Sequence, residues 1–292
     1  MVLPFYVKMQ CIILNLSESS SLKPLIRLMR LDKPIGTLLV LWPVLWALWL
    51  ANQGMPSLKL LIIFVLGGLI MRTAGCVIND IFDRQLDKHV ERTFMRPLAQ
   101  GELSLKQAWL TFFALISLAF ILVLQLNILT IMIACIAALL TVLYPLCKRF
   151  TNLPQLVLGI TFNAGVLMAY SASLNELPFM AWLLFFVSII WTVAYDTLYA
   201  MADKADDIKI GIKSTAILFG RYDLLITHVL YLVFFAGILT IGLINYLGPV
   251  FIIFVIISAG WTFYPSQTPF KAFLANNITG LLIFLGFLLT LY

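Results

Sequence analysis

Residues 58–87 read "LKLLIIFVLGGLIMRTAGCVINDIFDRQLD". Up to Ile78 the stretch is almost entirely apolar, and about 20 such residues suffice for a helix to cross a bilayer. It then runs directly into Asn79, Asp80, Asp83 and Asp87. A polar cluster at the end of a membrane span is energetically expensive and usually functional. The segment therefore reads as a transmembrane helix that delivers acidic residues to one edge of the membrane.

The rest of the chain agrees. Of 292 residues, 62% are hydrophobic and 11% charged, and the mean hydropathy is +1.04. A soluble domain is roughly 45–50% apolar. An all-α polytopic membrane protein is expected, built as a single domain over 1–292, with 1–22 a variable N-terminal extension. That extension is partly apolar but is broken by Lys8 and Gln10, with no small-residue cleavage site after it. Apolar runs between polar or Pro/Gly breaks predict nine spans: 34–52, 58–82, 105–125, 128–146, 154–174, 178–202, 222–243, 247–264 and 272–291.

The net charge of +6 does not point to nucleic acid, because the basic residues are spread over short loops rather than gathered on one soluble face. Lys8, Lys23, Arg27, Arg30 and Lys33 precede the first span. Arg84, Lys88, Arg92, Arg96 and Lys106 follow the second, Lys148 and Arg149 the fourth, Lys204, Lys209, Lys213 and Arg221 the sixth, and Lys271 the eighth. All of these fall on one side of the membrane. The other side has Lys59, and Arg72 lies inside the second span. Positive loops face the cytoplasm, so the N-terminus is expected inside and the C-terminus outside, in a bacterial-type inner membrane. Cys11, Cys76, Cys135 and Cys147 lack metal-site spacing and are expected to be reduced thiols.

A second acidic stretch, "YDTLYAMADKADDIKIGIKST" at 195–215, ends on the same side. It holds Asp196, Asp203, Asp206 and Asp207. Asn79, Asp83 and Asp87 are spaced i, i+4, as are Asp203 and Asp207, so on a helix each set stacks on one face. Tyr195 and Tyr199 continue the Asp203 stripe into the membrane. Stacked carboxylates repel one another unless a cation sits between them. Oxygen ligands without Cys or His point to Mg²⁺, which binds few carboxylates and completes its shell with water and substrate phosphates. A metal-bridged diphosphate follows. Arg92 and Arg96, also i, i+4, together with Lys148, Arg149 and Lys213, suit the remaining phosphate oxygens. There is no Walker or Gly-rich nucleotide loop and no HExxH.

Blander readings compete at several positions. The five N-terminal basic residues read as a solvated topology signal. Asp206 reads equally as a solvated neighbour of Asp203 and Asp207. Arg72 could belong to a buried structural pair, but a ligand-facing cation is favoured because it lies seven residues before Asn79 on the same face, about 10 Å deeper. His89 and His228 read as interfacial and packing residues. Gly67, Gly68 and Gly75 read as allowing close helix packing. The tryptophans of "LWPVLWALWL" read as interfacial or core packing.

These residues resemble the UbiA family of intramembrane prenyltransferases, from "RLDKPIGTLLVLWP" at 30–43 to the last helix. The family's NDxxDxxxD motif stands as Asn79, Asp80, Asp83 and Asp87. Its second motif stands as "YDTLYAMADKADDIKIGIKS". "MRTAGCVINDIFDRQLD", "RTFMRPLAQG" and "YPLCKRFTNLPQ" look like the 4-hydroxybenzoate polyprenyltransferase branch. The resemblance implies nine helices around a central cavity with a cytoplasmic cap. It implies transfer of a polyprenyl group from polyprenyl diphosphate to the carbon ortho to the hydroxyl of 4-hydroxybenzoate, a step toward ubiquinone. It places Mg²⁺ and diphosphate at Asp83, Asp87, Asp203 and Asp207, supported by Asn79. It places diphosphate contacts at Arg96, Lys148 and Tyr144, and the aromatic acid near Arg72. Asp196, Tyr195 and Tyr199 join the site without fixed roles. The alternatives are another branch of the superfamily (menaquinone, haem O or chlorophyll synthesis) and, from a different class, a divalent-cation or phosphate transporter.

Overall fold

The computed structural model describes residues 22–264 and 268–291. The expected N-terminal extension, apart from Leu22, lies outside those residues, as do Lys8 and Cys11. Among the described residues every regular element is helical. The long helices are α1 (Ile35–Asn52), α2 (Leu58–Asp83), α3 (Leu105–Val123), α4 (Ile128–Phe150), α5 (Pro154–Leu174), α6 (Phe179–Ile210), α7 (Asp223–Ile244), α8 (Gly248–Thr262) and α9 (Pro269–Thr290). They stand where the apolar runs predict.

The sequence sets several helix ends through local chemistry. Ser57 accepts a hydrogen bond from Leu60 N at the start of α2, and Asn127 accepts one from Thr130 N at the start of α4. Ser104 and Gln107 form a reciprocal capping box on α3. α6 ends at Gly211, whose φ of 71° is a left-handed value that glycine adopts without penalty.

Among the described residues eight helices are long and apolar enough to cross a membrane. α8 has 15 residues, about 22 Å of helix against a hydrocarbon core of about 30 Å. The predicted span 247–264 is thus present as a helix but is shorter than a full crossing. α6 runs eight residues past its predicted end at 202, to Ile210. Its polar tail resembles a loop in composition, but nothing in it breaks a helix before Gly211.

α1 packs against α2, α5 and α9, and α6 packs against α5, α7 and α9. The main core lies among these helices. Trp46 and Trp191 are fully buried there, with ring centroids 5.2 Å apart. Trp42 and Trp49 are buried with them, so the tryptophan-rich run packs the core as read. His228 packs on Phe263. Large apolar side chains such as Leu110, Phe113, Ile128, Ile136, Phe186 and Ile256 face outward, as expected where the surrounding solvent is lipid. Cys76, Cys135 and Cys147 are free thiols.

Candidate active site

The acid-bearing ends of α2 and α6 border one cavity of about 460 Å³. α2 lines it with Arg72, Gly75, Cys76, Asn79 and Asp83, which recur at helical spacing on one face. α6 contributes Tyr195, Asp196, Tyr199, Asp203 and Asp207 in the same way. α4 contributes Tyr144 and Lys148, an i, i+4 pair. Asp87, Arg96 and Lys213 complete the set.

Arg149 departs from expectation. It is exposed, and its Nη2 donates to the Phe82 carbonyl at 2.7 Å, outside the cavity. Lys148 and Arg149 are adjacent on a helix, so their side chains leave about 100° apart, and one of them must face away.

The carboxylates are held by bases. Lys148 Nζ pairs with Asp83 Oδ2, while Asp83 Oδ1 is buried without a hydrogen-bond partner. Arg92 grips Asp203 with both arms, Nε to Oδ1 at 2.8 Å and Nη2 to Oδ2. Its guanidinium lies 4.3 Å from the Tyr199 ring centroid. Arg96 Nη1 donates to the Asp87 carboxylate at 3.0 and 2.9 Å and lies 3.0 Å from Asp80 Oδ1. Burial works against the charge on Arg96, but Asp80 and Asp87 outweigh it and raise its pKa. Burial raises the Asp87 carboxyl above its ordinary value despite Arg96. Lys213 Nζ donates to the Phe150 carbonyl at 3.2 Å. Asp196 and Asp207 line the cavity and form no ion pair with a described base.

Two local geometries differ from the spacing argument. α2 ends at Asp83, and Asp87 sits in a separate 3₁₀ turn, Asp87–His89. Asn79, Asp83 and Asp87 are therefore not one continuous helical stripe, although all three reach the cavity. Arg92 and Arg96 also do not share a helix. They lie in a turn-rich segment before the short helix Pro97–Gln100 and reach different carboxylates. Asp206 turns out to be the solvated neighbour: it pairs with Lys209 at 3.0 Å and accepts from Glu91 N. Gly67 and Gly75 are not helix-packing positions. A Cβ at Gly67 would meet nothing within 4 Å, and one at Gly75 only the Thr141 methyl at 3.6 Å. Both widen the cavity wall. Gly68 does pack closely, on Leu41.

Arg30, read as a topology signal, belongs to the site. Its Nη2 donates to both Asp80 oxygens at 2.8 and 2.9 Å, and it lines the cavity. Its φ of 55° is left-handed, an uncommon conformation for a side-chain-bearing residue, and it directly follows Met29, the C-cap of the short helix Lys23–Leu28. Asp80, part of the first acidic motif, and Arg92, read as a candidate phosphate base, also line the cavity. Asp80 is 1% exposed and ties Arg30 and Arg96 together.

The residues fit a hard divalent cation. Among the described residues no three His, Cys, Asp or Glu form a ready-made cage; the acids come from α2 with its following turn and from α6. That suits Mg²⁺, which takes one or two carboxylates and completes its shell with water and phosphate. The unpartnered Oδ1 of Asp83 is an available donor.

The comparisons with known proteins agree. The family model described as "UbiA prenyltransferase family" matches residues 40–290. A 4-hydroxybenzoate octaprenyltransferase of Pseudoalteromonas translucida is 52% identical over 271 residues, covering 90% of this chain and 93% of its own. One from Coxiella burnetii is 49% identical, covering 91% and 95%. Among solved structures, the apo UbiA homolog of Aeropyrum pernix K1 superposes with a TM-score of 0.75 at 24% identity, covering 87% of this chain and 97% of its own. A UbiA homolog of Archaeoglobus fulgidus bound to GPP and Mg²⁺ superposes with a TM-score of 0.68 at 20% identity, covering 92% and 99%. These two share the fold. With the match over most of its length and relatives at about half identity, the chain belongs to the UbiA prenyltransferase family, a family of multi-pass membrane enzymes.

Proposed function

We infer that this chain transfers a polyprenyl group from its diphosphate to the carbon ortho to the hydroxyl of 4-hydroxybenzoate, releasing diphosphate, in ubiquinone synthesis. The carrying observation is that one cavity holds two addresses at different depths. Asp83, Asp87, Asp203 and Asp207 lie at its polar end. Arg72 and Asp196 each lie seven residues before an acid-cluster residue on their helices, about 10 Å deeper. The curated relatives' names support the substrate pair, and they specify an octaprenyl tail.

Asp83, Asp87, Asp203 and Asp207, with Asn79, would hold Mg²⁺, whose charge would offset that developing on the departing diphosphate. Arg92, Arg96, Lys148 and Lys213 donate to phosphate oxygens, and Tyr144 lies beside Lys148 to do the same. Arg72 holds the benzoate carboxylate in its planar fork. As the allylic C–O bond breaks, the faces of Tyr195 and Tyr199 stabilise the cationic carbon. The electron-rich ring attacks that carbon and forms the new C–C bond. The displaced ring proton passes to Asp196, a deep carboxylate without an ion-pair partner among the described residues. The cavity's deep walls, including Leu39, Val44, Ile63, Phe64 and Val123, exclude water and receive the isoprenoid chain.

The whole chain acts as one catalytic unit. We place it in a bacterial inner membrane with nine spanning helices, counting α8 and its apolar flanks. The N-terminus and a cap made by the polar segments after α2 and α6 face the cytoplasm, and the C-terminus lies outside. Purified protein given 4-hydroxybenzoate and octaprenyl diphosphate should yield the 3-octaprenyl product by mass spectrometry, and only with Mg²⁺. Product from a different aromatic acceptor alone would assign another branch of the family. Cation or phosphate flux in liposomes without turnover would make it a transporter.

A further inference from the structure

Gly36 stands in the first turn of α1. A Cβ built there would meet three atoms of one group, the Arg72 guanidinium. Nε would lie 2.8 Å away, Cζ 2.9 Å, and Nη2 closer still. Other close-packed glycines in the bundle face apolar neighbours. Gly165 faces Val44, Gly237 faces Val187, Gly242 faces Phe251, and Gly280 faces Trp42. At Gly36 the space of a missing methyl is filled by a charged head.

Among the described residues no hydrogen-bond or ion-pair partner fixes that head. Arg72 Nε is buried without a hydrogen bond, and no described carboxylate pairs with the guanidinium. Its position is therefore set by what it packs against, and on the α1 side that is the bare Cα of Gly36. We propose that Gly36 is a positioning and specificity-determining residue for the aromatic acid, acting through Arg72 by giving its guanidinium a seat against α1. The proposal rests on the assignment of Arg72 to the acceptor's carboxylate.

Alanine at position 36 forces a displacement, because contacts below about 3 Å cannot be kept. The part that yields is the end of a long, flexible side chain rather than backbone, so the fold is spared. Alanine is also the better helix former. The guanidinium shifts into the cavity, and the carboxylate it holds shifts with it. A misplacement of about 1 Å can cost roughly 100-fold in rate when it disturbs alignment of reacting atoms.

The test is a double-mutant cycle on the full-length enzyme in detergent, with thermal stability followed in parallel. Gly36→Ala should raise KM for 4-hydroxybenzoate about tenfold or more. It should leave KM for polyprenyl diphosphate within about twofold and the melting temperature unchanged or higher. In an Arg72→Ala or Arg72→Gln background, Gly36→Ala should add less than about twofold, because the group it displaces is gone. An equal penalty with and without the arginine would overturn the proposal and make Gly36 a packing residue. So would a Gly36→Ala enzyme with unchanged KM for the acid. Failure of the underlying reading looks different: Arg72→Ala alone would then spare the acid and weaken the diphosphate substrate, while the cycle would still show whether the two positions are coupled.

Discussion

Lys148 Nζ on α4 is paired with Asp83 Oδ2 on α2, and the other oxygen of the same carboxylate is buried without a partner. On the facing side Arg92 holds both oxygens of Asp203. The bases that should grip diphosphate thus rest on the carboxylates that should grip metal. If Mg²⁺ and diphosphate entered together, each base would exchange a carboxylate for a phosphate oxygen, and no buried charge would be left alone. Binding of the two ligands should therefore be mutually dependent. In calorimetry, Mg²⁺ should bind at least about tenfold more tightly when a non-hydrolysable prenyl diphosphate is present, about 1.4 kcal/mol of coupling.

The same pairings decide which acid to mutate. Asp83 is 1% exposed and Asp203 13% by side chain. Removing one partner of a buried pair can cost about 3–5 kcal/mol of stability, so Asp83→Asn should lose both activity and stability. Asp203→Asn should lose activity by about 100-fold or more while the melting temperature stays close to that of the parent, since loss of a metal ligand removes several kcal/mol of transition-state stabilisation. Turnover and thermal melts on the two variants check both halves.

Chelation gives a complementary test. EDTA should abolish turnover, and added Mg²⁺ should restore it. Substituting Lys148→Ala should raise KM for the prenyl diphosphate.

Arg149 should be dispensable. It is exposed and reaches only a backbone carbonyl, so Arg149→Ala should keep activity within about twofold, as surface substitutions usually do. A loss comparable to that of Lys148→Ala would put Arg149 back in the site.

Orientation can be read from Cys147, near the end of α4. In a variant whose other cysteines are replaced by serine, an impermeant thiol reagent should label Cys147 in inverted vesicles and not in intact cells. Labelling from outside would reverse the topology drawn from the basic loops.

The helices were readable in sequence because each apolar run is long and bounded by Pro, Gly or charge. The end of α6 was not, because the stretch 203–210 is polar enough to read as a loop yet contains no helix breaker before Gly211. The acidic half of the site was readable because its spacing is local. The basic half was less so. Arg30 reaches Asp80 across 50 residues of chain and Arg92 reaches Asp203 across 111, and no periodicity connects partners so far apart. Charge composition does not say which of two adjacent helical residues faces inward, so the sequence alone does not separate Arg149 from Lys148.

The most direct test of two addresses in one cavity is the pair of KM values for Arg72→Ala, measured for 4-hydroxybenzoate and for polyprenyl diphosphate. Arg72 lines the cavity about 10 Å deeper than Asn79, and no described carboxylate pairs with it. The account predicts a rise of about tenfold or more for the aromatic acid, little change for the diphosphate, and only partial rescue by Arg72→Lys, whose ammonium lacks the planar fork. A weakened diphosphate substrate with an unchanged aromatic acid would contradict it.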